Sequence, residues 1–194
     1  LFLRLLGSNG RRGKLAFPVT VTSEVDRLAK ASGLEVVRTP ANLADLTLQA
    51  AQDDVVFAGA LGGGYVFPEF LPAYDAVASL CNLLELLAPT SQPISELVGD
   101  LPVSTLVHRQ IPCPWAVKGL VMRLLSERLR DRKLDLTDGI KVFEKRGWAQ
   151  VLPDPDEPVV HIYAEGKTKD DSQALEAELH SLVDAILQTE EATA

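Results

Sequence analysis

The residues best placed to bind a ligand lie in a few short runs. Gly59-Ala60-Leu61-Gly62-Gly63-Gly64-Tyr65 is a glycine-rich loop, which provides backbone N–H groups, close approach and access to positive φ. A dinucleotide-binding loop would have to open a helix, and the following Tyr65-Val66-Phe67-Pro68 is no helix start. Leu152-Pro153-Asp154-Pro155-Asp156-Glu157-Pro158 concentrates three carboxylates in a proline-bounded turn. Such a turn is either solvated or, since hard cations favour clustered carboxylates, a cation site. Arg38 stands at a strand end, either as an exposed arginine or in contact with an anion. Of the three histidines, His108 and His161 fall in expected strands and His180 in the last helix. No carboxylate or cysteine stands at ligand spacing to them, so all three read as structural or surface groups and no Ser-His-Asp set is argued. Tyr65, Phe67 and Phe70 read as core aromatics beside the glycine loop.

These residues need elements to position them. Lys14–Val21 reads as a strand, and Ser23 as the cap of a helix whose Val25, Leu28 and Ala29 share one face. Gly33 closes that helix. Leu34–Arg38 is the next strand, Asn42 caps a helix reaching Ala51, and Val55–Ala58 is a short apolar strand of the buried parallel kind. A long helix follows over Asp75–Leu87. Alternating strand and helix predicts an α/β three-layer domain over residues 1–100. Pro89–Pro102 is rich in breakers. After it come a strand over Ser104–Gln110, an amphipathic helix over Trp115–Arg132, strands at Ile140–Glu144, Trp148–Leu152 and Val159–Ala164, and a helix over Asp171–Gln188. Lys145-Arg146-Gly147 makes the first two of those three strands a hairpin. Residues 101–194 are therefore expected to form a small α+β domain, with helices on one face of an antiparallel sheet. The tail Thr189–Ala194 is expected to fray.

Composition limits the functional classes. The 194 residues carry a formal net charge of −8, with 46% hydrophobic and 24% charged residues. An acidic chain repels a phosphate backbone, so nucleic acid is not an expected partner. The basic residues between Arg123 and Lys133 alternate with acidic ones and read as a solvated helix face. No apolar run reaches the ~20 residues that span a bilayer, so no membrane association is expected. Cys81 and Cys113 read as buried thiols in a reducing, cytoplasmic setting, although the sequence leaves a disulfide open. Leu1-Phe2-Leu3-Arg4-Leu5-Leu6 reads as a helix end before the breakers Gly7-Ser8-Asn9-Gly10, with no initiator Met or signal peptide, so the chain is read as part of something longer.

Taken together, the runs have a family likeness. GKLAFPVTVTSEVDRLAKASGLEVVRTP, VVFAGALGGGYVFPEF, YDAVASLCNLLELLA and DGIKVFEKRGWAQVLPDPDEPVVHIYAEGKT resemble, in order, the third and fourth domains of the α-D-phosphohexomutases (phosphoglucomutases and phosphomannomutases). FPEFLPAYDA, CPWAVKGLVMR and LPDPDEPVVHIYAEG are similar to the mutase-like region of mannose-1-phosphate guanylyltransferase-like fusion proteins. The resemblance implies carbohydrate metabolism and nucleotide-sugar biosynthesis, with isomerase or transferase chemistry in the parent protein. In that family a phosphoserine and an aspartate-held Mg²⁺ lie in the first two domains. Nothing here resembles either, so no catalytic or metal-binding residue is expected in this chain. Mg²⁺ would belong to the full-length protein, and upstream domains of it would be partners.

The resemblance also marks departures. The family sugar loop, Gly-Glu-x-Ser-Gly, has Ala60 and Gly62 in place of its polar side chains; Gly62, Gly63, Gly64 and Tyr65 remain as loop positions. The family phosphate loop, Arg-Pro-Ser-x-Thr-Glu-Pro, has Leu152, Asp154 and Asp156 where Arg, Ser and Thr belong, and Glu157 keeps its place. A further motif with a Gly-His pair and a nearby Lys has only Arg38. Like charges at a few ångströms oppose anion binding by on the order of 1 kcal/mol per pair. The expectation is a degenerate module, inactive alone, whose acidic turn lies exposed in the cleft between the domains. Neutralising the turn should not restore phosphate binding, because Leu152 supplies no cation. Hexose phosphate stays a candidate ligand, against that charge, and homo-oligomerisation is left open. The competing expectation is the substrate-binding half of an active mutase.

Overall fold

A computed structural model describes residues 1–191. They divide into two compact units, Leu1–Val103 and Ser104 onward. In the first unit, strands β1 (Lys14–Pro18), β2 (Glu35–Thr39), β3 (Val55–Gly59) and β4 (Tyr65–Val66) form a sheet in the order β2-β1-β3-β4. The first three are parallel and β4 is antiparallel to β3. Alternation along the strands divides the core between two faces. Leu15, Phe17 and Phe57 pack beneath helices α1 (Phe2–Ser8), α2 (Glu24–Ala31) and α4 (Ala76–Leu87). Ala16 and Ala58 pack against Leu46 and Ala50 of α3 (Leu43–Ala50). The result is the expected α/β/α layering.

Local chemistry sets the helix ends. The Asn42 side chain accepts the Asp45 N–H at 2.8 Å, and Asp75 accepts that of Ala78 at 2.7 Å, both N-caps of the usual kind. Gly33, at φ +69°, closes α2. Its N–H reaches the Lys30 carbonyl, and Leu34 N–H reaches that of Ala29, the paired bonds of a Schellman motif. Ser23 does not cap α2. It is itself in helical conformation, and the Glu24 N–H is taken by the Thr22 hydroxyl. Helix α1 continues through Gly7 and Ser8 rather than stopping before them, and the breaker-rich segment contains helix α5 (Ile94–Gly99).

The second unit is a five-stranded antiparallel sheet, ordered β5-β9-β8-β7-β6. Its strands are β5 (Val107–Pro112), β6 (Lys133–Asp135), β7 (Ile140–Glu144), β8 (Gly147–Pro153) and β9 (Val159–Gly166). One face carries Ile140, Val142, Ala149, Val151, Val160, Ile162 and Ala164. It buries against Val121, Leu125 and Leu129 of α6 (Trp115–Leu129) and Leu175, Leu179, Val183 and Ile186 of α7 (Lys169–Glu191). The opposite face carries His108, Lys141, Trp148, Gln150, His161, Tyr163 and Glu165. The β7–β8 hairpin turns as expected at Lys145-Arg146, with Glu144 opposite Gly147. Helix α7 is described as far as Glu191; of the tail expected to fray, residues 192–194 lie outside the described residues. Both cysteines are free thiols; Cys113 is buried and Cys81 is exposed, contrary to the expectation of burial.

Candidate functional site

The glycine-rich loop is the hairpin between β3 and β4. Gly63 N–H donates to the Ala60 carbonyl at 3.3 Å, and Ala60 N–H to the Gly64 carbonyl at 3.4 Å. Gly63 and Gly64 have φ of +90° and +80°. A Cβ on Gly64 would fall 2.5 Å from the Tyr74 ring, whereas one on Gly62 would meet nothing within 4 Å. The tight turn therefore needs Gly63 and Gly64, while Gly62 has room for a side chain. Ala60 packs on the apolar cluster around Leu46. The loop thus presents backbone and no side-chain hydroxyl or carboxylate. Tyr65 packs its ring on Phe2 and Phe57, with centroids 4.9 and 5.9 Å away, and Phe67 is buried. Phe70 is 68% exposed and Tyr65 38%, so of the three expected core aromatics only Phe67 is one.

Arg38 is half-buried rather than exposed. Its guanidinium donates to the carbonyls of Pro18, Val21 and Thr22 at 3.1, 2.8 and 3.2 Å, and it pairs with Asp26. It ties β2 to the turn after β1, and those bonds occupy the donors that an anion would need.

In the second unit the acidic turn joins β8 to β9. Asp156 and Glu157 are exposed, as expected, while Asp154 is half-buried with its carboxylate turned inward. Oδ1 accepts the N–H groups of Asp156 and Glu157 at 2.8 and 2.7 Å, and Oδ2 lies 2.8 Å from His161 Nε2. His161 Nδ1 in turn lies 2.9 Å from His108 Nε2, and the His108 ring stacks on Tyr163 at 4.4 Å. A carboxylate only accepts. With neutral imidazoles, His161 Nε2–H therefore donates to Asp154, and His161 Nδ1 accepts from His108 Nε2–H. The His161 bond, then the two backbone bonds, hold the Asp154 carboxyl below the usual range. Burial, and then the neighbouring His161, lower the His108 pKa.

One expectation from the sequence needs correcting here. Carboxylates do stand at bonding distance to histidines, Asp154 to His161 and Asp184 to His180 (3.2 Å). The first pairing is invisible in a spacing search because it forms across a hairpin. The only signal was that His161 and Tyr163 share a strand face, and it becomes readable once β5 is registered against β9, with His108 opposite Tyr163. Leu152 supplies no cation, but Lys118 brings one to the turn backbone. Lys118, 8% exposed, donates from Nζ to the carbonyls of Asp154 and Glu157 at 2.7 and 2.6 Å and lies 3.8 Å from the centre of the Trp115 ring. Cys113 N–H holds the Pro158 carbonyl at 2.7 Å. The CPWAVKG and LPDPDEP runs are thus one structural unit.

Similarity to known proteins runs the length of the chain. Residues 2–104 match the family described as phosphoglucomutase/phosphomannomutase, alpha/beta/alpha domain III. The chain belongs to the phosphoglucomutase/phosphomannomutase family. A probable phosphoglucosamine mutase of Methanopyrus kandleri is 30% identical over 182 residues, 93% of this chain and 40% of that protein. A phosphoglucomutase/phosphomannomutase of Thermococcus kodakarensis is 28% identical over 170 residues, 86% of this chain and 36% of that one. The chain therefore spans about 40% or less of the length of these curated relatives. Among solved structures, a phosphoglucomutase/phosphomannomutase family protein from Burkholderia thailandensis superposes with a TM-score of 0.76 at 18% identity, over 95% of this chain and 40% of that one. The N-acetylphosphoglucosamine mutase of Aspergillus fumigatus in complex with GlcNAc-6P and magnesium superposes at 0.70 and 12% identity, over 95% and 42%. Both likenesses concern the fold of this phosphohexomutase-family chain. Among its described residues no group of three or more His, Cys, Asp or Glu is placed to hold a metal ion. No described helix is long and apolar enough to cross a membrane.

Proposed function

We propose that this chain is the C-terminal portion of a cytoplasmic sugar-phosphate protein of the phosphohexomutase family, and that it does not perform the mutase reaction by itself. The observation that supports this best is the acidic turn. The position of the ligand loop carries Leu152, Asp154 and Asp156 in place of a guanidinium and two hydroxyls, and the backbone donors of the turn are spent on Asp154. A site built to bond a hydroxyl or an oxyanion loses selectivity when those groups are removed. The loss of polar side chains at Ala60 and Gly62 agrees with it. The finer reading is a mutase-like module of a mannose-1-phosphate guanylyltransferase-type fusion, serving binding, regulation or assembly.

A second reading keeps the chain as the substrate-binding half of an active mutase. It draws on the preserved turn glycines, Gly63 and Gly64, and on the open space at Gly62. Both readings leave the isolated chain inactive, so they separate by calorimetric titration of a hexose 1-phosphate, which the substrate-binding half should bind and the degenerate module should not. The inactivity itself is tested by turnover. Purified chain is incubated with Mg²⁺, a hexose 1,6-bisphosphate and the 1-phosphates of mannose, glucose and glucosamine. No conversion above a blank preparation is expected, and turnover of any of them sinks the first reading.

A further inference from the structure

We propose that helix α4 is a self-association seam: its exposed row Ala76, Leu80, Leu84 and Ala88 packs antiparallel against the same row of a second copy of this chain. Helix α4 has twelve residues and one charge, Glu85, in a chain of which 24% is charged. A helix that is apolar all round belongs between two apolar surfaces. One is present, since Leu83, Leu86 and Leu87 pack on the cluster around Phe57. On the other side Val77, Leu80 and Leu84 are each more than half exposed, beside exposed Ala76, Cys81 and Ala88. Grooves of about 860 and 370 Å³ flank the helix, the first lined by Phe70 and Val77 and the second by Leu80 and Leu83. The row therefore stands as an apolar ridge between two furrows, and a contiguous apolar surface of this kind marks an interaction site.

The pattern selects the occupant. A bilayer span needs ~20 residues, and a helix lying on a lipid surface needs a charged face, which α4 lacks. The row itself carries no charge for a charged partner to answer. A two-fold pair requires a surface that reads the same in both directions. This row does so, as Ala, Leu, Leu and Ala at steps of four, with Ala88 still helical where it ends the helix. Turned antiparallel about its midpoint, Leu80 meets Leu84 of the second copy, and Leu84 meets Leu80. Residues at steps of four form a ridge, and two such ridges interlock at a crossing angle near about −50°. That crossing concentrates contact on the leucines and leaves the alanines where the helices diverge. Charge fits the same arrangement. Copies that each carry −8 repel one another, so a charge-free face is where they can meet, and the two Glu85 side chains fall on opposite sides of the axis. One helix pair lies at the low end of interface sizes, about 1,200 Å² or less in total, so the association is weak and depends on concentration.

The test is sedimentation velocity of the 194-residue chain over a concentration series. Wild type is expected to pass from monomer to dimer as concentration rises. Leu80→Glu with Leu84→Glu should stay monomeric throughout, with the circular dichroism of the wild-type fold. Leu43→Glu with Leu48→Glu, which alters two exposed leucines of α3, should associate as wild type does. Cys81 lies one residue from the axis and is the exposed thiol of the two. A short bis-maleimide should therefore link two wild-type copies, and Cys81→Ser should abolish the link. This measurement needs no substituted helix, so it decides the matter even if the double variant fails to fold. The proposal is overturned if wild type is monomeric at every concentration, which would mean that something other than a second copy covers the row. It is equally overturned if the folded double variant dimerises like wild type, or if dimers form that Cys81 does not cross-link.

Discussion

Glycines that look alike in a run do different things. Gly64 combines φ +80° with a Cβ position 2.5 Å from the Tyr74 ring, whereas Gly62 has neither constraint. Gly64→Ala is expected to destabilise the first unit by about 1–3 kcal/mol through strain and overlap. Gly62→Ser should lie within about 0.5 kcal/mol of wild type, as surface substitutions usually do. Chemical denaturation of both variants checks the contrast, and equal losses would contradict it. His108 offers a second test. Its lowered pKa means that the folded chain favours the neutral ring. The unfolded state then binds more protons between the folded value and the ordinary one near ~6.5. The resulting stabilisation is complete above ~6.5 and is lost as the pH falls below it toward the folded value. Asp154 acts in the same direction at lower pH, below the usual carboxylate range of ~3.9. The urea midpoint should therefore fall between pH 7.5 and 5.5, and His108→Gln should reduce that fall. A midpoint whose pH dependence is unchanged in His108→Gln would refute the assignment. The cap Asn42 and the closing Gly33 were legible because each acts within a few residues of itself. The His108–His161–Asp154 chain was not, because 53 residues separate the two rings and only strand register brings them together.

Elements were legible in proportion to their length and periodicity. The parallel strands β1, β2 and β3 and the helices α2, α3, α4, α6 and α7 are long enough to show a period. Strand β4 has two residues and β6 three, too few for alternation to appear. Helix α5 has six residues and begins after Pro93, so its composition resembles that of a loop. Strand β1 ends at Pro18 rather than Val21 because the chain turns there, with Val21 N–H bonding back to the Pro18 carbonyl at 3.0 Å. Where a short element has a side-chain cap, its contribution is measurable. Asn42 satisfies the Asp45 N–H at the start of α3, whose Leu46 is fully buried. Asn42→Ala should cost about 1 kcal/mol and Asn42→Gly only a few tenths. Thermal or denaturant midpoints of the two variants decide this, and a larger loss for glycine than for alanine would show that the side-chain bond is not what holds the helix start.

At the scale of the whole chain, alternation of strand and helix marked the α/β layering and motif order marked the family, while the contacts of the acidic turn emerged only from the three-dimensional structure. The described residues build separate cores. The cluster around Leu179, Val183 and Ile162 draws only on residues beyond 104, and the clusters around Phe57 and Leu46 only on residues before it. Cores that share no side chains can unfold as separate cooperative units. The sequence supplies its own probe, since Trp115 and Trp148 are the only tryptophans and both lie in the second unit. Trp148 is buried, with its indole N–H on Glu165 at 2.9 Å, so its fluorescence should change when that unit opens. Leu179→Ala removes a buried side chain and should cost about 2–5 kcal/mol, moving the tryptophan transition to lower denaturant. Leu46→Ala should cost a similar amount in the first unit. Its far-UV circular dichroism should then gain an early phase while the tryptophan transition stays where it is in the wild-type chain. If Leu46→Ala shifts the tryptophan transition as far as Leu179→Ala does, the two cores unfold as one and their energetic independence is refuted.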